Sequence, residues 1–371
     1  MDCLRLRPRA HAERLCFPQV SSVWQWSNYL IEKVPAQKRP LRINFDETSV
    51  CLFQGHGAGN IFVAKRSRPT QNVSRGARRA CLTHVAFACD DPTIQPLMPQ
   101  IIIANERTIP KRQITAIRRS LRRNILVIRA KSAWVNGSVC AQIVRLLLEA
   151  LAPRMHEFQP ILSFDANRAH CGLPVLRALI AAKMWPLLVP ASTTRHVQVL
   201  DTHGFAAYKL CLQRKYQAKR IQTTDGVVGV AELVDAIQET IKDTLDSKIW
   251  STAFDYNGFG LRQAGVSPKL LATLGVVEPV AIPADRPSDE QVLSCFPRGA
   301  KPEGIGAWLT LDVEVASASR IGPPGWARLR PIQRSLQVAS VLTPLVSHAV
   351  SAREPEDSGI ASRTRSQRAK H

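Results

Sequence analysis

Two hydrophobic periods alternate along this chain and divide it into elements. Residues 41–53 are apolar and β-prone and predict a strand, broken at Gly55-His-Gly-Ala-Gly59; residues 60–64 predict its return in a hairpin. Further short apolar runs at 82–89, 100–104, 159–164 and 185–189 predict strands. Helical spacing takes over at 139–151, where Val139, Ile143, Leu147 and Leu151 share a stripe that stops before Pro153. Residues 173–183 predict a helix opened by Pro174, and residues 200–220 another. Leu233, Ile237, Ile241 and Leu245 mark a helix over 230–250, and 267–274 a shorter one. From 41 to 220 the order is an antiparallel meander, then strands separated by crossover helices. That order predicts an α/β fold.

The same pattern divides the chain. Residues 1–40 form a basic lead with Trp24 and Trp26 and a helix expected near 23–34. It is shorter than the roughly 50 residues an independent DNA-reading domain needs. Residues 41–222 form the central domain and 223–277 a helical extension. Residues 278–350 read as a linker, rich in Pro and charge up to 304, followed by a weakly patterned stretch. Residues 351–371 read as a disordered basic tail.

Charge changes the picture more than composition does. Of the 371 residues, 50 are Lys or Arg and 29 Asp or Glu, a net charge of +21. Such a field predicts a polyanionic partner, with DNA the default. Between residues 60 and 131 fifteen Lys and Arg face three acids, Asp90, Asp91 and Glu106. The clusters include Lys65, Arg66 and Arg68; Arg78 and Arg79; and Arg118, Arg119, Arg122 and Arg123, the candidate phosphate contacts. Each cluster taken singly reads equally as a solvated face.

Other classes fall away. No apolar run is long enough for a membrane span, and no basic amphipathic helix stands apart, so no membrane partner is expected. The nine cysteines form no close Cys-x-x-Cys pair, which predicts reduced, mostly core cysteines of an intracellular protein. The Arg-rich start lacks the apolar core of a secretory signal. The glycine cluster at 55–59 lacks the Gly-Lys-Ser/Thr of a phosphate loop.

Three apolar runs carry an Asp: Asp46 in Phe45-Asp-Glu-Thr48, Asp165 in Phe164-Asp-Ala-Asn-Arg-Ala-His170, and Asp201 after Leu188-Val-Pro-Ala-Ser-Thr-Thr-Arg-His-Val-Gln-Val-Leu. Any one of them alone reads as a cap or turn residue. Together, carboxylates at the ends of buried elements are what a pair of hard divalent cations needs. A phosphatase of the haloacid-dehalogenase type would want Asp-x-Asp, and position 48 is Thr.

These motifs resemble the DDE-superfamily endonuclease domain of mariner/pogo-type DNA transposases and their domesticated relatives. The first is similar to the family's opening Asp-Glu-Thr/Ser strand, and the second to its Asp-Asn-x-x-x-His strand end. The third, from Pro190 through Thr194 and Gln198 to Asp201, is similar to its Pro-x-x-x-Thr-x-x-x-Gln-Pro-x-Asp run, with Lys209 following on the helix. Residues 131–137, with Trp134, look like the family's Gly-Trp segment, and the 36 positions from Asp165 to Asp201 are close to its spacing. The resemblance covers about 41–250. It implies an RNase H-like mixed sheet flanked by helices, with Asp46 on the central strand, Asp165 at the end of its neighbour and Asp201 on the last crossover helix.

Three departures stand out: Ala166 in place of Asn, Val199 in place of Pro, and no paired helix-turn-helix domains ahead of residue 41. On this reading Asp46, Asp165 and Asp201 are the catalytic and metal residues for two Mg²⁺ or Mn²⁺ ions. Asp46 is the bridging ligand and the other two are outer ligands. His170 and Lys209 are candidates near the phosphate, with packing as the competing role for His170. Glu47 alternates with Asp46 along the strand and is expected to face away from the site. Two functions follow: a DNA endonuclease or strand transferase, or a non-catalytic nucleic-acid-binding protein with the same fold. DNA is the expected partner, a homodimer stays open, and the nucleus is the expected compartment in a eukaryote.

Overall fold

The computed structural model describes residues 17–50, 82–224, 227–276, 281–300 and 308. The hairpin expected at 60–64, the basic residues Lys65, Arg66, Arg68, Arg78 and Arg79, and the tail at 351–371 lie outside them.

The first helix is α1 (Phe17–Glu32), followed by the long strand β1 (Arg39–Val50), then β2 (Leu82–Cys89) and β3 (Gln100–Asn105). After a short α2 (Lys111–Ile117) come β4 (Ile125–Ala130), α3 (Gly137–Leu151), β5 (Phe158–Asp165), α4 (Leu173–Ala182) and β6 (Trp185–Val189). The remainder is helical: α5 (Thr194–Val197), a π-helical turn over Leu200–Gly204, α6 (Phe205–Gln222) and α7 (Val230–Ile241). Then follow α8 (Ser251–Tyr256), α9 (Pro268–Leu274) and α10 (Asp289–Ser294).

Six strands make one mixed sheet in the order β4-β3-β2-β1-β5-β6. β2 is antiparallel to both β1 and β3, while β3–β4, β1–β5 and β5–β6 are parallel pairs. One reversed strand beside a long central one, with helices on both faces, is an RNase H-like arrangement, as the motifs imply. β2, β5 and β6 read as nearly unbroken apolar runs because both faces of the sheet are covered.

Three stretches differ from the sequence reading. β4 and α2 fall in the stretch read only for its basic clusters, and Ile125, Val127 and Ile128 are buried there. The helix expected over 230–250 gives up α-helical geometry at Ile241, passes through a π-helical turn (Lys242–Asp246) and restarts at Ser251. The span 281–300, read as linker, packs against α1. Asn28 Nδ2 donates to the carbonyls of Ile282 (3.2 Å) and Pro283 (3.4 Å), and Gln291 Nε2 to Gln25 Oε1 (2.7 Å).

Helix α1 is therefore part of the folded body. Trp24 and Trp26 are buried, and Trp24 Nε1 donates to the Asn257 carbonyl at 3.0 Å. The next residue, Gly258, has φ +82°, and a Cβ there would lie 2.2 Å from that indole nitrogen. Only glycine fits both constraints. Arg42 joins the sheet to the helical part: Nε pairs with Asp90 Oδ2 at 2.6 Å and Nη1 with Asp255 Oδ1 at 2.7 Å.

Candidate active site

Strand alternation sorts β1 into two chemically different faces. Asn44 and Asp46 share one face; Phe45 and Glu47 share the other, where the Phe45 ring meets Phe164 and His170. The β1–β5 ladder ends at Asn44 opposite Ser163. Two residues further along each strand come Asp46 and Asp165, so their backbones leave neighbouring strands about 5 Å apart. β5 stays paired with β6 through Asp165 opposite Val189.

Asp201 is brought to the same place by Asn44. That buried amide donates to the Ser163 carbonyl at 3.0 Å and accepts from the Leu200 N–H at 2.9 Å. One side chain thus joins β1, β5 and the π-helical turn, and leaves Asp201 in hydrogen-bond contact with Asp46. The turn has its own supports. Asn257 Nδ2 donates to Thr202 Oγ1 at 2.7 Å, and a Cβ on Gly204 would lie 3.3 Å from the Trp250 ring. The wide π turn replaces the plain helix start expected at Asp201.

Crowding carboxylates has an electrostatic cost. Burial, then the charges of Asp201, Glu47 and Asp165, hold the Asp46 carboxyl well above the usual carboxylate range. Burial and Asp165 raise Asp201, against the opposing charge of Lys209 and the hydrogen bond with Asp46. Two carboxylates in hydrogen-bond contact can do so only by sharing a proton or a cation. Oδ1 of Asp165 is buried and lies 2.5 Å from the His170 ring nitrogen. Hard anionic oxygens crowded together fit a divalent cation such as Mg²⁺ or Mn²⁺.

The cysteines nearby are not nucleophiles. Burial and the charges of Glu47 and Asp165 push the Cys140 thiol well up, and burial and Asp165 push Cys171 to about 12.

His170 returns to Asp165 through a tight turn. The Asn167 carbonyl accepts from the N–H groups of His170 (2.9 Å) and Cys171 (3.1 Å), while Asn167 Oδ1 accepts from Ala169 N–H at 3.1 Å. Asn167 builds the turn, and Ala166 beside it is buried. The imidazole Nε2 lies 2.9 Å from Glu47 Oε1, and Nδ1 lies 2.5 Å from Asp165 Oδ1 and 3.1 Å from the Asp165 carbonyl. The contact with the carbonyl has hydrogen-bond geometry, and the shorter carboxylate contact is an ion-pair approach. Burial works against charge on this ring, but hydrogen bonds to Asp165 and Glu47 outweigh it and raise its pKa well above the ordinary value.

Glu47 does face away from Asp46, as alternation requires, yet it is not remote. One ligand atom each from Glu47, Asp165 and His170 lie within 4.8 Å of one another. Sequence reasoning missed Glu47 because only the folded turn at 166–170 brings β5's end round to that face.

The basic candidates on α2 and after it separate into two kinds. Arg118 donates to the Val127 carbonyl at 2.8 Å, and Arg122 pairs with Asp246 at 2.9 Å. Arg119 and Arg123 are exposed. Lys209 lies on α6 with its Nζ 5.7 Å from the Phe205 ring centroid. No described helix is long and apolar enough to cross a membrane.

Comparison with known proteins gives no match to a protein-family model and none to a curated protein. Among solved structures, the chain is similar to the Mos1 mariner paired end complex with Mn, at 12% identity and a TM-score of 0.40, covering 74% of this chain and 67% of that one. It is also similar to the Mos1 transposase paired-end complex with left transposon end, at 14% identity and a TM-score of 0.34, covering 70% of this chain and 68% of that one.

Proposed function

We propose that this chain is a metal-dependent DNA endonuclease or strand transferase, with Asp46, Asp165 and Asp201 holding two Mg²⁺ or Mn²⁺ ions. The observation that carries this is the crowding of acids at one end of the sheet, where Asp46 and Asp201 are in hydrogen-bond contact and the charge of Asp165 raises both, in a chain of net charge +21. Evolution of a mere scaffold has no use for such mutual repulsion, whereas a cation site needs it. The ions, when bound, would activate the attacking oxygen and stabilise the leaving one.

The protein's own residues do the rest. Asp46, on the central strand, would hold the ions from the middle of the site. Asp165 and Asp201 flank it from the strand end and the π-helical turn. Lys209 adds positive charge near Asp201, and its place on α6 suits contact with a phosphate. Exposed arginines such as Arg119 and Arg123 draw in the DNA backbone without reading its sequence. The compartment for such work in a eukaryote is the nucleus.

The test is nicking of supercoiled DNA in Mg²⁺ and Mn²⁺ against EDTA. Asp165→Asn should abolish nicking and spare binding, because an amide keeps the shape but loses the anionic ligand. Arg119→Ala with Arg123→Ala should flatten the log–log salt dependence of binding by roughly 0.9 for each phosphate left unneutralised. Wild-type protein that binds DNA in both metals and never cuts would leave only a non-catalytic nucleic-acid-binding protein.

A further inference from the structure

The two-metal reading gives no task to Glu47 or His170, yet both are built into the wall of the site. We infer that the Glu47–His170 pair is the positioning device for Asp165: it fixes that carboxylate at the open end of β5. The inference rests on the metal-dependent reading above.

The need for such a device follows from the ladder. β1 stops pairing with β5 at Asn44 and Ser163, so among the described residues no ladder bond from β1 restrains the backbone of Asp165. Its carboxylate would otherwise swing among rotamers and face Asp46 and Asp201 with nothing to resist their repulsion.

His170 supplies what the ladder lacks. The ring is 1% exposed and stands edge-on to Phe45 and Phe164, with centroids 5.2 and 5.8 Å away and interplanar angles of 65° and 88°. Close packing on both sides leaves it no room to rotate. Both ring nitrogens face oxygens that only accept: Glu47 Oε1 on one side, the Asp165 carbonyl and carboxylate on the other. Both nitrogens therefore donate. Glu47 holds the far nitrogen at 2.9 Å, while the near one hydrogen-bonds the Asp165 carbonyl at 3.1 Å and approaches its carboxylate as an ion pair at 2.5 Å. β1 thus contributes a ligand from one face and, through His170, a brace from the other. An ionised carboxylate offers about four lone-pair positions, so the brace leaves room for a cation.

The same three residues could instead take a cation themselves, and then the imidazole would have to surrender a ring hydrogen. That difference is measurable. In protein carrying ¹⁵N-histidine, both His170 ring N–H signals should be present and should persist in saturating Mg²⁺. Loss of either one on adding Mg²⁺ overturns the inference, and this measurement needs no variant.

Calorimetric titration with Mn²⁺ gives the second arm. Glu47→Ala should weaken Mn²⁺ binding about 10–100-fold, the usual effect of removing a group that orients a ligand. Glu47→Gln should recover most of that loss, because its amide oxygen still accepts from Nε2. Glu47 lies at the rim with its side chain 19% exposed, so both variants should fold, and thermal melts check this. Glu47→Ala with unchanged affinity, or Glu47→Gln no better than Glu47→Ala, overturns the positioning role while the metal reading stands. Wild type that takes up no Mn²⁺ brings down the metal reading, and this inference with it.

Discussion

His84 should make the fold acid-sensitive. It sits on β2 opposite Thr48, fully buried, with its ring 5.1 Å from that of Tyr208. Nε2 donates to Gln100 Oε1 at 3.1 Å, and Nδ1 has no partner among the described residues. A second proton on Nδ1 would thus be a buried charge with nothing to receive it. Burial lowers the pKa from 6.5 to about 4, with only the Gln100 hydrogen bond opposing. Below pH 6.5 the unfolded chain takes up a proton that the folded one refuses until about pH 4. Stability from neutral His84 is therefore full above pH 6.5 and is lost as pH falls through the window down to about 4. At about 1.4 kcal/mol per pKa unit, the total is roughly 3 kcal/mol, of which about 2 kcal/mol is gone by pH 5. The assay is urea denaturation of wild type and His84→Phe at pH 8, 7, 6 and 5. The variant removes the titration and leaves Gln100 Oε1 accepting from Phe87 N–H at 3.3 Å. Every other group titrates in both proteins, so the difference between the two curves isolates His84. Parallel curves from pH 8 to 5 would refute the account.

Asp46→Asn should stabilise the metal-free protein at neutral pH, since it removes a buried acid facing three others yet keeps an oxygen for the Glu47 N–H at 2.7 Å. Mn²⁺ should then raise the melting temperature of wild type but not of the variant; a variant that melts lower than wild type in EDTA would contradict this. Gly258→Ala should cost about 2–4 kcal/mol in urea denaturation, from left-handed strain plus collision with Trp24, and redden the tryptophan emission; a loss under about 1 kcal/mol would show that α1 can slide away.

Sequence legibility tracked how local the cause was. The apolar runs of β2, β5 and β6 and the stripe of α3 have their periods written in consecutive residues, and they fold where the pattern puts them. β4 was hidden because Arg122 and Arg123 precede it and Arg129 lies within it, and charge dominates that window. Yet Arg129 reaches out to the Ile109 carbonyl and Arg122 to Asp246, so the charges belong to the flanks and not to the buried face. Proline and charge made 281–300 look like linker. What holds it is the amide chemistry of Gln25 and Asn28, more than 250 residues away, which no local window contains. The Asp motifs were visible; Asn44, which gathers two of the elements that bear them, read only as a polar residue inside a strand.

Helix α1 carries a consequence for synthesis. Its contacts run to Asn257, Ile282 and Gln291, separated in sequence by 233, 254 and 266 residues. At a translation rate of about 5–20 residues per second, those partners emerge roughly 12–50 s after the helix does. For that interval the Trp24 indole lacks its Asn257 partner, and the nascent chain presents an incompletely covered aromatic segment to whatever stands at the ribosome exit. Cells short of holding chaperones should lose this protein to aggregation at that stage.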